Sequence, residues 1–393
     1  MIAGDFEGTI DFGGGPLACV GASDGFIAKL DRYGNHIWSR RFGDEESQIA
    51  NALAVDGPGD IVLAGSFSGT VDFGGGPLVA AGSPDAYIVK LDASGNHLWS
   101  KRFGDGDNQS SGEVAFDGSG NIFMTGVFGG TIDFGGGPLA GAGFWDAYVV
   151  KLDAQGGHLW SKRFGNAGWM YIAVDGSGDL FMAGSFSDIV DFGGGPLACA
   201  GKSDIFIAKL DRDGNHLWSE RFGDADYGQY PSALAVDAAG NVLMVGHFRG
   251  SVDFGGGPLT CPYLDDIFLV KFDPGGGHLW SKRFGTIALE MGKGVAVDRE
   301  GNIVITGLFN DSVDFGGGLL TTAGETDIYA ARFDADGLHV WSKSFGGPQL
   351  QSGSCVTSDG TGNFVIGGLS RGAISFGGGV LPAGCFVAKF GTW

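Results

Sequence analysis

Six of the seven histidines, His36, His97, His158, His216, His278 and His339, recur in one context, each followed by a Trp and then a Ser. Imidazoles in an acidic chain would suit a metal site, and Asp92, His97 and Ser100 have the residue types of a nucleophilic triad. Repetition argues against both readings. A residue repeated once per module is spread apart by the fold, so copies on outer strands cannot converge. His97 and Ser100, three apart on one strand, are expected on opposite faces, out of hydrogen-bonding reach. The expected role is structural, with the imidazole packing near the Trp. His247 is unrepeated, lies in an apolar segment and reads as core.

The acidic residues repeat too. Asp56, Asp117, Asp175, Asp237, Asp298 and Asp359 each end an apolar segment and open a turn such as DGSGN. Asp there accepts hydrogen bonds from backbone N–H groups just ahead, and Gly supplies a positive φ. The same carboxylates could attract Ca²⁺, which prefers oxygen ligands, although none has the ligand spacing of an EF-hand loop. Turn capping accounts for them without a metal. Lys29, Lys90, Lys151, Lys209, Lys271, Arg332 and Lys389 recur opposite them, as do Arg41, Arg102, Arg163, Arg221 and Arg283. Ion pairing between neighbouring modules is expected. DFGGG or a close variant begins at Asp11, Asp72, Asp133, Asp191, Asp253, Asp314 and Ser375. It lacks the lysine and strand-to-helix context of a phosphate loop, so it reads as a tight loop with a buried Phe.

The elements that carry these residues follow one order. After Ala52 the chain reads ALAVD, a turn GPGD, IVLAGSF, a long loop containing DFGGG, DAYIVKLD, a turn ASGN and HLWSKRFG. These are four strand-like segments, A to D, rich in Val, Ile, Phe and Trp and bounded by Asp, Gly and Asn. Strand C is apolar on both faces, which suits a blade packed between two others. No helical periodicity is sustained. The expectation is an all-β fold: a single β-propeller over 1–393, with seven blades of four antiparallel strands, six blades being the alternative. Segments 1–42 and 353–393 are incomplete modules expected to contribute to ring closure. MIAGDFEGTI aligns with the middle of a module, so any native signal peptide is expected to lie outside this chain.

A net charge of −21 argues against nucleic acid and against docking on an anionic membrane surface. No apolar run has the length of a membrane-spanning helix, so membrane insertion is not expected. The 77 glycines follow no triplet period, and 43% hydrophobic residues suffice for a packed core. Cys19, Cys199 and Cys261 occupy one offset in three modules, and free thiols are the default for all five cysteines.

DAYIVKLDASGNHLWSKRFG, followed by AVDGSGN, resembles the bacterial β-propeller repeat called SBBP. The Gly followed by a Trp-bearing outer strand is also similar to the tryptophan-docking repeats of quinoprotein propellers. That resemblance implies that Trp38, Trp99, Trp160, Trp218, Trp280 and Trp341 lock adjacent blades. It favours an extracellular or cell-surface protein and implies no particular function.

Strand direction sorts the loops. A–B and C–D turns share one end and are nearly invariant; B–C loops and variable D–A segments share the other. Variation on a constant scaffold is where binding usually lives. The candidate ligand-binding residues there are Trp145, Trp169, Tyr227, Tyr230 and Tyr263, with Asp107, Asp224 and Asp226. Exposed aromatics with acids suit a protein or carbohydrate partner. No catalytic residue and no metal ligand is assigned. The expected function is a non-enzymatic scaffold, expected to be a monomer, that binds a protein or glycan through this end; the alternatives are an axial active site of lyase, hydrolase or quinoprotein type, or a structural module of a larger surface protein.

Overall fold

A computed structural model describes residues 1–143, 145–359 and 362–391, with the side chain of Pro262 excepted. Every regular element among them is a strand. The chain is an all-β, seven-bladed β-propeller built from antiparallel modules. Modules 2 to 6 each carry strands A to D, as in module 2: Gln48–Val55, Ile61–Phe67, Asp85–Leu91 and His97–Phe103. Module 1 has B, C and D only, and module 7 has A, B and C, each pairing as a three-stranded sheet.

Contacts divide the chain into two compact units, Met1–Gly178 with Asp211–Asn215, and Asp179–Leu210 with His216–Trp393. The division falls inside module 4, whose strand A (Ala167–Val174) belongs to the first unit. Within each unit, strand A of one module packs on strands A, B and C of the module before it. Strands B and C are buried on both faces; in module 2 every residue of Ile61–Phe67 and Asp85–Leu91 is buried. That burial is why these segments are apolar throughout and do not alternate.

The repeated motifs are mostly packing devices. DFGGG is the tip of a small hairpin, Thr70–Asp72 against Pro77–Val79, and Asp72 Oδ1 accepts from Gly74 N at 2.7 Å and Gly76 N at 3.1 Å. Its Phe73 is buried, with ring centroids 4.9 Å from Tyr87 of the same module and 4.9 Å from Phe42 of the preceding one. Phe134, Phe254, Phe315 and Phe376 repeat that contact with Phe103, Phe222, Phe284 and Phe345. Full burial of each such ring is worth about 2–3 kcal/mol.

The tryptophans dock as the resemblance implies, with one departure. A Cβ on Gly95 would lie 2.9 Å from Trp38, and Gly156, Gly214, Gly276 and Gly337 meet Trp99, Trp160, Trp218 and Trp280 in the same way. Each glycine closes the C–D turn of the next module and has positive φ. Trp99, Trp160 and Trp218 also donate their indole N–H to a carbonyl of that turn, at 3.1, 3.1 and 3.0 Å. Trp341 meets no such turn, because module 7 has no described strand D; it packs on the module 7 core instead.

Candidate binding surface

The histidines do not sit where the spacing placed them. His97 Nε2 and Ser100 Oγ are 3.0 Å apart, and all six His–Ser pairs repeat that contact at 3.0 or 3.1 Å. The reason is a β-bulge. Lys90 pairs with Trp99 and Leu91 with His97, so Leu98 is an extra residue and the alternation slips by one. The ring lies against the DFGGG hairpin and not chiefly the Trp: a Cβ on Gly75 would fall 2.1 Å from His97 Cε1. Asp92 is occupied elsewhere, accepting from Ser94 N and Asn96 N at 2.8 Å, so no triad forms.

Among the described residues the ion pairs join groups of one module and not of neighbouring modules. Asp24, Asp85, Asp146, Asp204 and Asp266, at the start of strand C, pair with Arg41, Arg102, Arg163, Arg221 and Arg283 of the adjoining strand D. The strand C lysines pair with the A–B turn of their own module: Lys151 with Asp117 at 3.0 Å and Lys271 with Asp237 at 2.9 Å. What crosses to the next module is a lysine hydrogen bond to a C–D turn carbonyl, as from Lys29 to Ala93 at 2.7 Å and Lys271 to Ala335 at 3.0 Å. The turn aspartates weighed as calcium ligands are thus engaged by ammonium groups and turn N–H groups. Among the described residues no group of three or more His, Cys, Asp or Glu side chains is placed to hold a metal ion. Among the described residues no cysteine pair forms a disulfide.

The candidate ligand-binding residues fall into two sets. Asp107, Trp145 and Trp169 belong to the first unit. Asp107 abuts Gly130, whose Cβ would lie 2.3 Å from Oδ2, and Trp169 covers Gly112 at 3.2 Å. Asp224, Asp226, Tyr227, Tyr230 and Tyr263 belong to the second unit, around module 5. There strands B and C run unbroken as Val242–Asp253 and Pro258–Phe272, and the DFGGG hairpin continues the blade. Tyr263 (60% exposed) and Leu264 (44%) project from this extension. Arg249 opposite them is 3.6 Å from Asp265 and stacks over Tyr227 with its guanidinium 5.9 Å from the ring centroid. Asp224 accepts from Ser251 N at 2.7 Å and Tyr227 N at 3.0 Å, which holds the D–A loop against this hairpin.

Tyr230 lies 5.5 Å, centroid to centroid, from His247. Burial, with the charge of Lys293, pushes the His247 imidazole down to about 4, so it is neutral at physiological pH. Arg249, Leu264 and Asp265 complete the surface and were not singled out by residue type. The signal was available: TCPYLDD lacks the glycine that other modules place before strand C, as in AGSPDA.

Two places break the repeat's chemistry inside the scaffold. Gln48, Gln109, Gln229 and Gln351 begin strand A and are buried; in module 2 the Gln48 amide donates to Asp44 at 2.8 Å and to the Ser68 carbonyl at 3.0 Å. Module 6 has Glu290 instead, fully buried, hydrogen-bonded to Asp266 and to Thr286 N at 3.2 Å. Burial, reinforced by Asp266, pushes Glu290 up to about 7, and burial raises Asp266 as well. Both shifts favour the protonated form of this carboxyl pair. In the first unit, Glu113 and Tyr171 stand on adjacent strands A. Burial pushes Glu113 up to about 7; burial and then the Glu113 charge raise Tyr171.

The end carrying the nearly invariant A–B and C–D turns holds an open hollow of about 700 Å³ in the first unit. Ser119, Trp160, Ser177, Arg212 and Asp213 line it, and small Gly-Ser turns leave it open. Its Lys151 is already paired with Asp117.

No family model matches the chain, so the SBBP resemblance rests on the residues quoted above. The chain is 20% identical over 411 residues to an uncharacterized WD repeat-containing protein of Acanthamoeba polyphaga mimivirus, covering 83% of this chain and 30% of that one. It is 27% identical over 169 residues to the regulatory protein FlaEY of Caulobacter vibrioides, covering 41% and 17%. It therefore spans less than a third of the length of either relative. The WD40 domain of Neurospora crassa Pan2 superposes with a TM-score of 0.44 at 9% identity, over 83% of this chain and 74% of that one. The chain is a β-propeller-type repeat protein.

Proposed function

We propose that this chain is a non-enzymatic scaffold that binds a protein through the B–C and D–A loop end of module 5. The observation that carries the reading is the unbroken hairpin of module 5. It brings Tyr227, Tyr263, Leu264 and the Arg249–Asp265 pair onto one exposed surface, and among the described residues no other module has strands B and C that run unbroken into the hairpin. Tyr and Arg over a rigid sheet are the residue types that dominate protein interfaces, because large side chains bury area at modest entropic cost. The near-identity of the other modules supports a support role for them. On the same reading the incomplete modules 1–42 and 353–393 close a single ring of SBBP type.

The test compares the wild type with a Tyr227→Ala, Tyr230→Ala, Tyr263→Ala variant as baits, with a glycan array as a second arm. A protein retained by the wild type and bound at least about tenfold more weakly by the variant, at unchanged melting temperature, supports the reading. Equal retention by both baits overturns the surface assignment. Glycan binding without a retained protein overturns the partner class.

A further inference from the structure

The hollow of about 700 Å³ beside the turns of modules 3 and 4 lies wholly within the first unit. Two A–B turns, Asp117–Asn121 and Asp175–Gly178, border it together with the C–D turn Asp211–Asn215 and with Leu159 and Trp160 of strand D in module 3. The sequence explains why a recess opens here. Both A–B turns read DGSG, whereas modules 2, 5 and 6 carry Pro58, Ala238 with Ala239, and Arg299 with Glu300 in the corresponding turns. Gly178 sits where the three turns meet: a Cβ there would lie 3.7 Å from Arg212 Cβ and 3.8 Å from Asp117 Cβ.

The backbone around the hollow is pinned. The Arg212 carbonyl accepts from the Trp160 indole N–H at 3.1 Å and from Lys151 Nζ at 3.0 Å, and Asp211 Oδ1 accepts from Asp213 N at 2.9 Å. Ser119 N and Ser177 N donate to Asp117 and Asp175, each at 2.8 Å. The polar side chains fall into two groups. Lys151 and Asp117 neutralise each other at 3.0 Å. Ser119, Ser177, Arg212 and Asp213 are exposed, and among the described residues none of these four side chains enters a hydrogen bond or an ion pair. The exposed Leu159 and the half-buried Trp160 add an apolar wall.

That set selects the chemistry of a ligand. An anion would meet Arg212 but also Asp213, and a cation would meet the reverse. An apolar group would strip water from both charges and leave them unpaired. The hydroxyls of a pyranose both donate and accept, so one neutral ligand can serve the guanidinium, the carboxylate and the serine hydroxyls while its C–H face lies against the apolar wall. Recesses of roughly 300–1,000 Å³ hold ligands of drug size, which for a sugar is about two or three rings.

We propose that this hollow is a saccharide-binding site, with Arg212 and Asp213 hydrogen-bonding the hydroxyls of a neutral disaccharide or longer glycan and Leu159 and Trp160 supporting its apolar face. It lies in the other unit from the module 5 surface and does not depend on it.

The experiment is isothermal titration of the full chain with maltose, cellobiose and N,N′-diacetylchitobiose, each to about 20 mM, with glycylglycine as a zwitterionic comparison. Saturable binding of at least one disaccharide, weakened about tenfold or more in Arg212→Ala and abolished in Ser119→Trp, which fills the hollow, supports the site. Both positions are exposed turn residues, and a melt at unchanged temperature shows that each variant folds. The Tyr227→Ala, Tyr230→Ala, Tyr263→Ala variant should keep the saccharide, which separates this site from the module 5 surface. No binding of any disaccharide, binding of glycylglycine alone, or unchanged affinity in either hollow variant overturns the proposal. Loss of the saccharide in the module 5 variant overturns it as well.

Discussion

Replacing Glu290 with Gln restores the residue that four other modules carry at this position, and it removes one of two buried carboxyls that both favour the protonated form. The magnitude follows from the protonation of Glu290. Its carboxyl is pushed from 4.5 to about 7 in the folded chain, by burial first and Asp266 second. A raised carboxyl means that the folded state holds its proton more tightly than the unfolded state. The sign is therefore that stability is greatest below pH 4.5 and is lost as pH rises through about 7. At about 1.4 kcal/mol per pH unit the loss approaches about 3 kcal/mol. For a chain of this length that is about 4 °C in melting temperature. The raised Asp266 adds in the same direction. In Glu290→Gln the amide can donate to Asp266 without titrating. Thermal melts by circular dichroism from pH 4.5 to 8.5 at fixed ionic strength should show the wild type falling behind the variant by several degrees at the alkaline end. Parallel curves for the two proteins, or a wild type that gains on the variant as pH rises, would refute the raised Glu290 carboxyl.

Gly95→Ala should lower stability by about 1–3 kcal/mol, since the new Cβ meets Trp38 at 2.9 Å and the backbone has φ +79°; a urea melt measures it. Asp117→Ala should cost about 3–5 kcal/mol, because it leaves the Lys151 ammonium buried without its partner, whereas Lys151→Met should cost less. A double-mutant cycle separates the pair from the packing of the lysine stem. Millimolar calcium should leave the melting temperature of the wild type unchanged, because the turn aspartates already hold lysines and N–H groups. A rise of several degrees would show an ion where none is accounted for.

The fold was legible because its signals are local and repeated. Asp-Gly turns, apolar segments of strand length and a Trp in every strand D point to one module, and the module recurs. What was missed depends on register. The bulge that spares Leu98 and joins His97 to Ser100 is set by pairing with strand C, and strict alternation cannot reveal it. The partners of the lysines and arginines were likewise misassigned, since the sequence shows that charges recur but not which strands bring them together. Tyr227, Tyr230 and Tyr263 stand out in the sequence as departures from the repeat. Arg249 and Asp265 were passed over because each looks ordinary until the long hairpin sets them 3.6 Å apart. Glu290 was passed over because it stands among variable D–A residues, and its meaning comes only from the buried Asp266 beside it.

The account rests most on recognition by module 5, and hydrogen exchange on the complex with the captured protein tests that directly. Protection on binding should fall in segments 224–230 and 259–266 and spare the A–B and C–D turns. Protection confined to those turns, or spread evenly over all seven modules, would contradict it.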